Sequence, residues 1–183
     1  EDNLVDLSFV RNKILEIFQS QNYNFNNQIY IDKSLENFFY IDVILTIFPK
    51  AKFINTIRNI EDNIFAIFKQ SLSKISWTHS IEEILEYMNN YFEIIKYFKK
   101  KYPDKIFSVN LEDISNNSRD ISKKLYSFCN LEWSDEVLNF HNRKDLLIST
   151  ASNIQIRDKI KKYEGDKYKS YKILLKDFSS KYD

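Results

Sequence analysis

Lys52-Phe53-Ile54-Asn55-Thr56-Ile57-Arg58-Asn59-Ile60-Glu61-Asp62 is the stretch on which the fold turns. Lys52 to Ile57 is rich in β-branched and aromatic residues and reads as a strand. Arg58 and Asn59 then open a helix that runs to about Ser71. Downstream, the turn at Pro103-Asp104 leads into a similar run, Lys105 to Val109, followed by Leu111-Glu112-Asp113. Upstream, Gln28-Ile-Tyr-Ile31 reads as a third, short strand.

Helical patterns fill the intervals. Leu7, Val10, Ile14, Ile17 and Phe18 recur at helical spacing and predict a helix from Asp6 to Gln19. Another is expected from about Leu35 to Phe48, where Pro49 ends it. Ser80 caps a long helix through Tyr102, with Glu83 at the capping-box position. Ser118 to Cys129, Ser134 to Phe140 and Asp166 to Ser179 complete the set, and Leu146 to Lys162 reads as largely irregular. Strands alternating with helices predict one parallel sheet with helices on its faces. Ligands in such folds gather at the carboxyl ends of the strands. That places Lys33, Arg58 and the Glu112 region near one edge.

Composition narrows the function classes. The chain has 183 residues, 43% hydrophobic and 29% charged, with no repeat and no Pro/Gly/Ser linker, so a single domain spanning 1–183 is expected. Twenty-seven basic residues against 26 acidic ones give a net charge of +1, which argues against nucleic-acid or acidic-membrane partners. Cys129 is the one cysteine and His79 and His141 are the two histidines, so neither an internal disulfide nor a metal site is expected. The longest apolar run, Phe38 to Phe48, contains Asp42 and is too short to span a bilayer. The first residues carry no signal pattern, and a cytoplasmic location is the expectation. The single glycine, Gly165, cannot build a phosphate-binding loop, which relies on glycines for tight turns and close backbone approach. Either the protein binds no phosphate through such a loop, or the loop lies upstream of Glu1 and the chain reads as a fragment.

Several residues could carry chemistry. Arg58 sits where a strand meets a helix; its guanidinium can grip a phosphate with two parallel hydrogen bonds, and the helix N-terminus adds N–H groups and partial positive charge. The plainer alternative is a surface pair with Glu61 or Asp62. Lys33 follows the first expected strand and could neutralise an oxyanion, or be a solvated lysine beside Asp32. Ser149 to Arg157 is irregular and rich in hydrogen-bonding side chains, and could wrap a polar ligand or satisfy itself through Ser and Asn turns. Lys159, Lys161, Lys162, Lys167 and Lys169 cluster around Gly165, or form a solvated face interleaved with acids. Cys129, Trp77 and Trp133 are expected in packing.

Taken in order, these segments resemble the sulfotransferase family, chiefly the bacterial type associated with tetratricopeptide repeats and more distantly the tyrosylprotein sulfotransferases. Asp32-Lys-Ser-Leu-Glu-Asn-Phe38 is similar to that family's Asp-Lys-x-Pro-x-Asn-Phe. Phe48-Pro-Lys-Ala-Lys-Phe-Ile54 is similar to its Phe-Pro-x-Ala-Lys, and Arg58-Asn-Ile-Glu-Asp62 to its Arg-Asp-Pro-x-Asp. Leu111-Glu-Asp113 resembles Tyr-Glu-Asp, Phe128-Cys-Asn-Leu-Glu-Trp133 resembles Phe-Cys-Gly-Leu-x-Trp, and Thr150-Ala-Ser-x-x-Gln-Ile-Arg157 resembles Thr-Ala-Ser-x-x-Gln-Val-Arg.

The resemblance implies a P-loop-like three-layer α/β fold, helix-rich and lacking its N-terminal phosphosulfate-binding loop. It implies transfer of a sulfuryl group from 3′-phosphoadenosine 5′-phosphosulfate to a hydroxyl or amine, without a metal. Arg58 would hold the 3′-phosphate and Lys33 would be the catalytic residue beside the sulfate. Thr150 to Ser152 would lie near the adenine, and Arg157, Lys161 and Lys162 would close over the phosphates. Arg58, Lys33 and the Thr150–Arg157 loop are expected to converge on one cleft. There are departures: Ala66 stands where the family has a phosphate-binding serine, Leu111 replaces a tyrosine, and Ile60 replaces a proline. With no loop and no evident base, the chain alone is expected to be inactive. The alternative is a degenerate domain that binds a nucleotide or a protein partner without catalysis.

Overall fold

The structure, a computed structural model, describes residues 7–20, 29–143, 158–163 and 168–175. Two compact units divide the chain: Glu1–Lys52 with Asn90–Lys105, and Phe53–Asn89 with Ile106–Asp183.

The second unit holds the sheet. Strand β1 (Phe53–Ile57) pairs with β2 (Ile106–Asn110) in parallel, in register from Phe53↔Ile106 to Ile57↔Asn110. Both begin and end within a residue of the pattern read from the sequence, because each is a short β-branched and aromatic run bounded by turn or cap residues. A parallel pair needs a long crossover, and helices supply it. Helix α3 (Ile60–Gln70) leaves β1, and α4 (Ile81–Lys101) follows a 3-10 turn at Ser76–His79. Helices α5 (Leu111–Asn116) and α6 (Ser118–Phe128) leave β2. Ile64, Phe65, Ile84, Leu85, Met88, Ile106 and Val109 are buried, as is Thr78, whose hydroxyl donates to the Ile75 carbonyl at 2.7 Å. Trp77 stacks on Tyr87 with ring centroids 3.8 Å apart, and Tyr168 lies 5.6 Å from Phe65.

Caps set the boundaries. Ser80 Oγ accepts the Glu83 N–H at 3.4 Å at the start of α4, but its own proton goes to Glu82 at 2.7 Å. After α6 the chain turns at Asn130, whose φ of 57° is left-handed. The Leu131 N–H then returns to the Tyr126 carbonyl at 2.9 Å. The resembling family motif has glycine at that position; asparagine is among the residues that tolerate it best. The turn directs Trp133 back to α6, where its Nε1 donates to Ser122 Oγ at 2.9 Å and Lys123 Nζ lies 4.9 Å above its ring.

The first unit is helical in its described residues. Helix α1 is Leu7–Ser20, and a 3-10 segment, Leu35–Tyr40, runs into α2 (Ile41–Ile47). The second part of α4 completes it, and Phe38, Ile41, Ile47, Ile95 and Phe98 form its core. Asp42 on α2 accepts from Lys101 Nζ at 2.8 and 2.9 Å and from the Tyr102 hydroxyl at 2.5 Å. These donors hold its carboxyl below the ordinary value.

Four expectations need correction. Ile29 to Ile31 forms no strand; Gln28 lies outside the described residues. A strand needs a neighbour, and here Tyr30 instead stacks on Phe18 of α1 at 5.9 Å while Ile31 stays exposed. Leu35 to Phe48 is not one α-helix but a 3-10 turn followed by a short α-helix. Ser134 to Phe140 is a 3-10 segment, Asp135–Asn142, broken at Asn139. Of the expected C-terminal helix, the described part is 3-10, Lys169–Leu175.

Candidate functional site

Parallel, in-register strands bring their carboxyl ends to the same edge, so Arg58 and the start of α5 meet beyond the Ile57↔Asn110 pair. Asn59 is the N-cap of α3, its side chain accepting the Asp62 N–H at 3.0 Å. Its own N–H donates to Glu112 Oε1 at 2.8 Å, which ties the loop after β1 to the helix after β2. Ser115 Oγ donates to the Glu112 carbonyl at 2.7 Å and accepts the Tyr163 N–H at 3.2 Å. The Tyr163 hydroxyl donates to Asp62 Oδ2. A recess of about 480 Å³ opens here, with Arg58 to Glu61 on one side and Asn110, Glu112 and Tyr163 on the other.

The charges are unusual. Asp62 is 1% exposed, and its Oδ2 lies 4.0 Å from Arg58 Nη2, an ion pair too long for a hydrogen bond. Arg58 Nε is buried and has no hydrogen-bond partner among the described residues. A buried donor without an acceptor is costly. The bond to Asp62, reinforced by burial and by the negative charges of Asp62 and Glu112, pushes the Tyr163 hydroxyl up to about 12, with Arg58 opposing.

Of the residues nominated from the sequence, Arg58 lies in the recess. Lys33 is exposed in the other unit, next to a turn in which Asp32 Oδ1 accepts the Ser34 N–H and hydroxyl at 2.8 and 2.6 Å. Lys161 is exposed and paired with Asp158 at 2.9 Å, and Lys162 is exposed. Thr150, Ser152 and Arg157 lie outside the described residues. Ala66 is partly buried on α3 and Leu111 opens α5. Sequence reasoning treated Asp62 as a surface partner of Arg58 and as the end of the Arg-Asp-Pro-x-Asp likeness, and missed Asn59 as a cap and Tyr163 altogether. Asn59 three residues before Asp62 is a readable cap pattern. Nothing local points from Tyr163 to a partner 101 residues away. Replacing Asn59 with Ala should cost about 1 kcal/mol of stability, the usual worth of an N-cap, measured as a lowered denaturant midpoint with an unchanged slope.

A model of the sulfotransferase family matches residues 3–135. The chain belongs to the sulfotransferase family. Lys33, Arg58, Asn59, Asp62 and Glu112 fall inside the matched span, whereas Lys161, Lys162 and Tyr163 lie beyond it. An uncharacterized protein of Aquifex aeolicus is 27% identical over 149 residues, covering 79% of this sulfotransferase-family chain and 19% of the relative. The chain thus spans about a fifth of the length of that relative. Among the described residues, no helix is long and apolar enough to cross a membrane.

Proposed function

We propose that the recess at the ends of β1 and β2 binds the adenosine bisphosphate half of 3′-phosphoadenosine 5′-phosphosulfate. The full-length protein would then transfer its sulfuryl group to a hydroxyl or amine. The observation that carries the reading is Arg58 Nε, a buried cationic donor without an acceptor among the described residues, at the N-terminus of α3. A phosphate oxygen fits that vacancy in charge and in hydrogen bonding. The helix's own ladder begins with the Asn63 N–H on the Asn59 carbonyl at 2.9 Å, and the partial positive charge of that helix end adds to the attraction.

In this reading Arg58 holds the 3′-phosphate, and the bound donor supplies the sulfuryl group. Thr150, Ser152, Arg157, Lys161 and Lys162 keep the nucleotide contacts that the resemblance assigns them. Lys33 stabilises charge on the departing phosphate, an assignment that rests on the Asp32–Phe38 segment alone. The competing reading is a domain that binds nucleotide or a partner without transfer, and it draws on Ala66 and Leu111. Restoring the missing hydroxyl decides how much Ala66 matters: Ala66→Ser should tighten nucleotide binding by roughly 2- to 10-fold, the worth of one neutral hydrogen bond.

The test is a melting series on the full-length protein with adenosine 3′,5′-bisphosphate and adenosine 5′-monophosphate. A concentration-dependent rise in midpoint with the bisphosphate, and a much smaller one with the monophosphate, is expected. Equal responses to the two nucleotides, or none to either, would refute a 3′-phosphate site. Sulfate transfer measured on the same protein separates an enzyme from a binder.

A further inference from the structure

Asp62 is an acid set against a phosphate-binding arginine, as it also is in the similar Arg-Asp-Pro-x-Asp motif. It is 1% exposed, four residues after the arginine assigned to the ligand. A carboxylate so placed would ordinarily close on the guanidinium as a two-pronged pair and occupy the donors that a phosphate needs. Here it does not. Asp62 Oδ2 stays 4.0 Å from Arg58 Nη2, and Arg58 Nε is left without an acceptor among the described residues. The oxygen that would pair with Arg58 accepts the Tyr163 hydroxyl instead.

Both partners of that bond are anchored. The Asp62 backbone is fixed by its N–H on the Asn59 side chain at 3.0 Å. The Tyr163 backbone is fixed by its N–H on Ser115 Oγ at 3.2 Å, and Ser115 is itself held by the Glu112 carbonyl. Glu112, an acid that lines the recess, is likewise engaged, by the Asn59 N–H at 2.8 Å. With Glu61 also on the wall, Arg58 is the one cation lining the recess among the described residues, so what Asp62 and Glu112 bond to bears on whether an anion can enter.

We propose that Tyr163 is a positioning residue that holds the Asp62 carboxylate off Arg58 and thereby keeps the guanidinium open to a phosphate monoester. The proposal rests on the reading of Arg58 as the phosphate-binding arginine. Asp62 is then a built-in competitor for the ligand's place, and the tyrosine hydroxyl is its restraint. The hydroxyl stays protonated through the physiological range, so the restraint does not lapse with modest changes in pH.

Four full-length proteins test this: wild type, Tyr163→Phe, Asp62→Asn and the double variant. Each is titrated calorimetrically with adenosine 3′,5′-bisphosphate and with inorganic phosphate. The Nε–H signals of the five arginines of this chain, Arg58 among them, are followed by 15N NMR. Tyr163→Phe should bind roughly 3- to 10-fold more weakly, as one restraining hydrogen bond is lost. Its unliganded Arg58 Nε–H signal should move toward that of a carboxylate-bonded arginine. Asp62→Asn should bind more tightly than wild type, and the double variant should bind as Asp62→Asn does, because without a carboxylate the hydroxyl has nothing to restrain. A tyrosine that merely supports the fold would give no such recovery. Should Tyr163→Phe fold poorly, the comparison of the double variant with Asp62→Asn still decides. Unchanged affinity in Tyr163→Phe, weaker binding in Asp62→Asn, or a double variant as weak as Tyr163→Phe would each overturn the proposal while leaving the phosphate site intact. A wild-type protein that binds neither probe overturns the phosphate site and this proposal with it.

Discussion

Replacing Arg58 with Ala in the full-length protein should weaken the binding of adenosine 3′,5′-bisphosphate by about 1.5–3 kcal/mol, or roughly 10- to 150-fold. The size follows from the site. Among the described residues its guanidinium is the cation on the wall of the recess and its buried Nε has no partner, and the α3 N-terminus adds only a partial charge. Arg58→Lys should recover part of the affinity, since a lysine restores charge but not the planar fork. The loss should also shrink for adenosine 5′-monophosphate, which has no 3′-phosphate to lose. Arg58 is an ion partner of the buried Asp62, so the variant's unliganded stability must be measured beside its affinity. An affinity for the bisphosphate that Arg58→Ala leaves untouched would remove the residue from the site.

The larger effect is expected at Lys33. Lys33→Ala should lower kcat for sulfuryl transfer by roughly 10²- to 10³-fold, the usual loss when one charge-stabilising donor is taken from a developing oxyanion. Nucleotide affinity should change little, because the charge that Lys33 meets grows as the bridging oxygen leaves with its electrons. Lys33 is exposed, so its removal should not disturb the fold, and a near-native melting midpoint is part of the expectation. Single-turnover transfer from saturating donor is the measurement that separates this step from binding. A variant that transfers at the wild-type rate, or one whose donor affinity falls as far as its rate, would refute the catalytic role.

How legible the molecule was in its sequence varies with the range of the interaction involved. Phe53–Ile57, Ile106–Asn110, α3 and α4 all lie within a residue or two of where pattern and caps put them. Each is specified locally, by periodicity, by Asn59 or Ser80 at its start, or by the Pro103-Asp104 turn before it. Ile29 to Ile31 carried the same kind of pattern and forms no strand, because pairing is decided by neighbours that a pattern does not contain. Arg58 was legible as a candidate because it follows a strand and opens a helix. The burial of Asp62 and its capture by Tyr163 were not. An Arg and an Asp four residues apart are ordinarily a solvated helix pair, and the contact that makes this one different comes from 101 residues downstream. Asn130 shows the converse: the left-handed turn after α6 is kept although the glycine of the similar motif is absent, since asparagine meets the same backbone demand.

The in-register pairing of β1 with β2 also sets when the recess can come into being. Phe53 and Ile106 are 53 residues apart, and so are Asn59 and Glu112, whose hydrogen bond ties one wall of the recess to the other. Closing so long an interval costs chain entropy before it returns any contact, whereas the helices within it wind on local contacts alone. The recess is therefore expected to be a late product of folding, assembled after α3 and the start of α4 have formed, with its Tyr163 wall bridging a longer interval still. A ligand that recognises only this finished geometry has nothing to hold in the transition state. It would leave the rate of folding almost unchanged and act by slowing the escape from the native state. Nucleotide bound at Arg58 would then be felt as lifetime: a protein that forms no faster in its presence but persists longer.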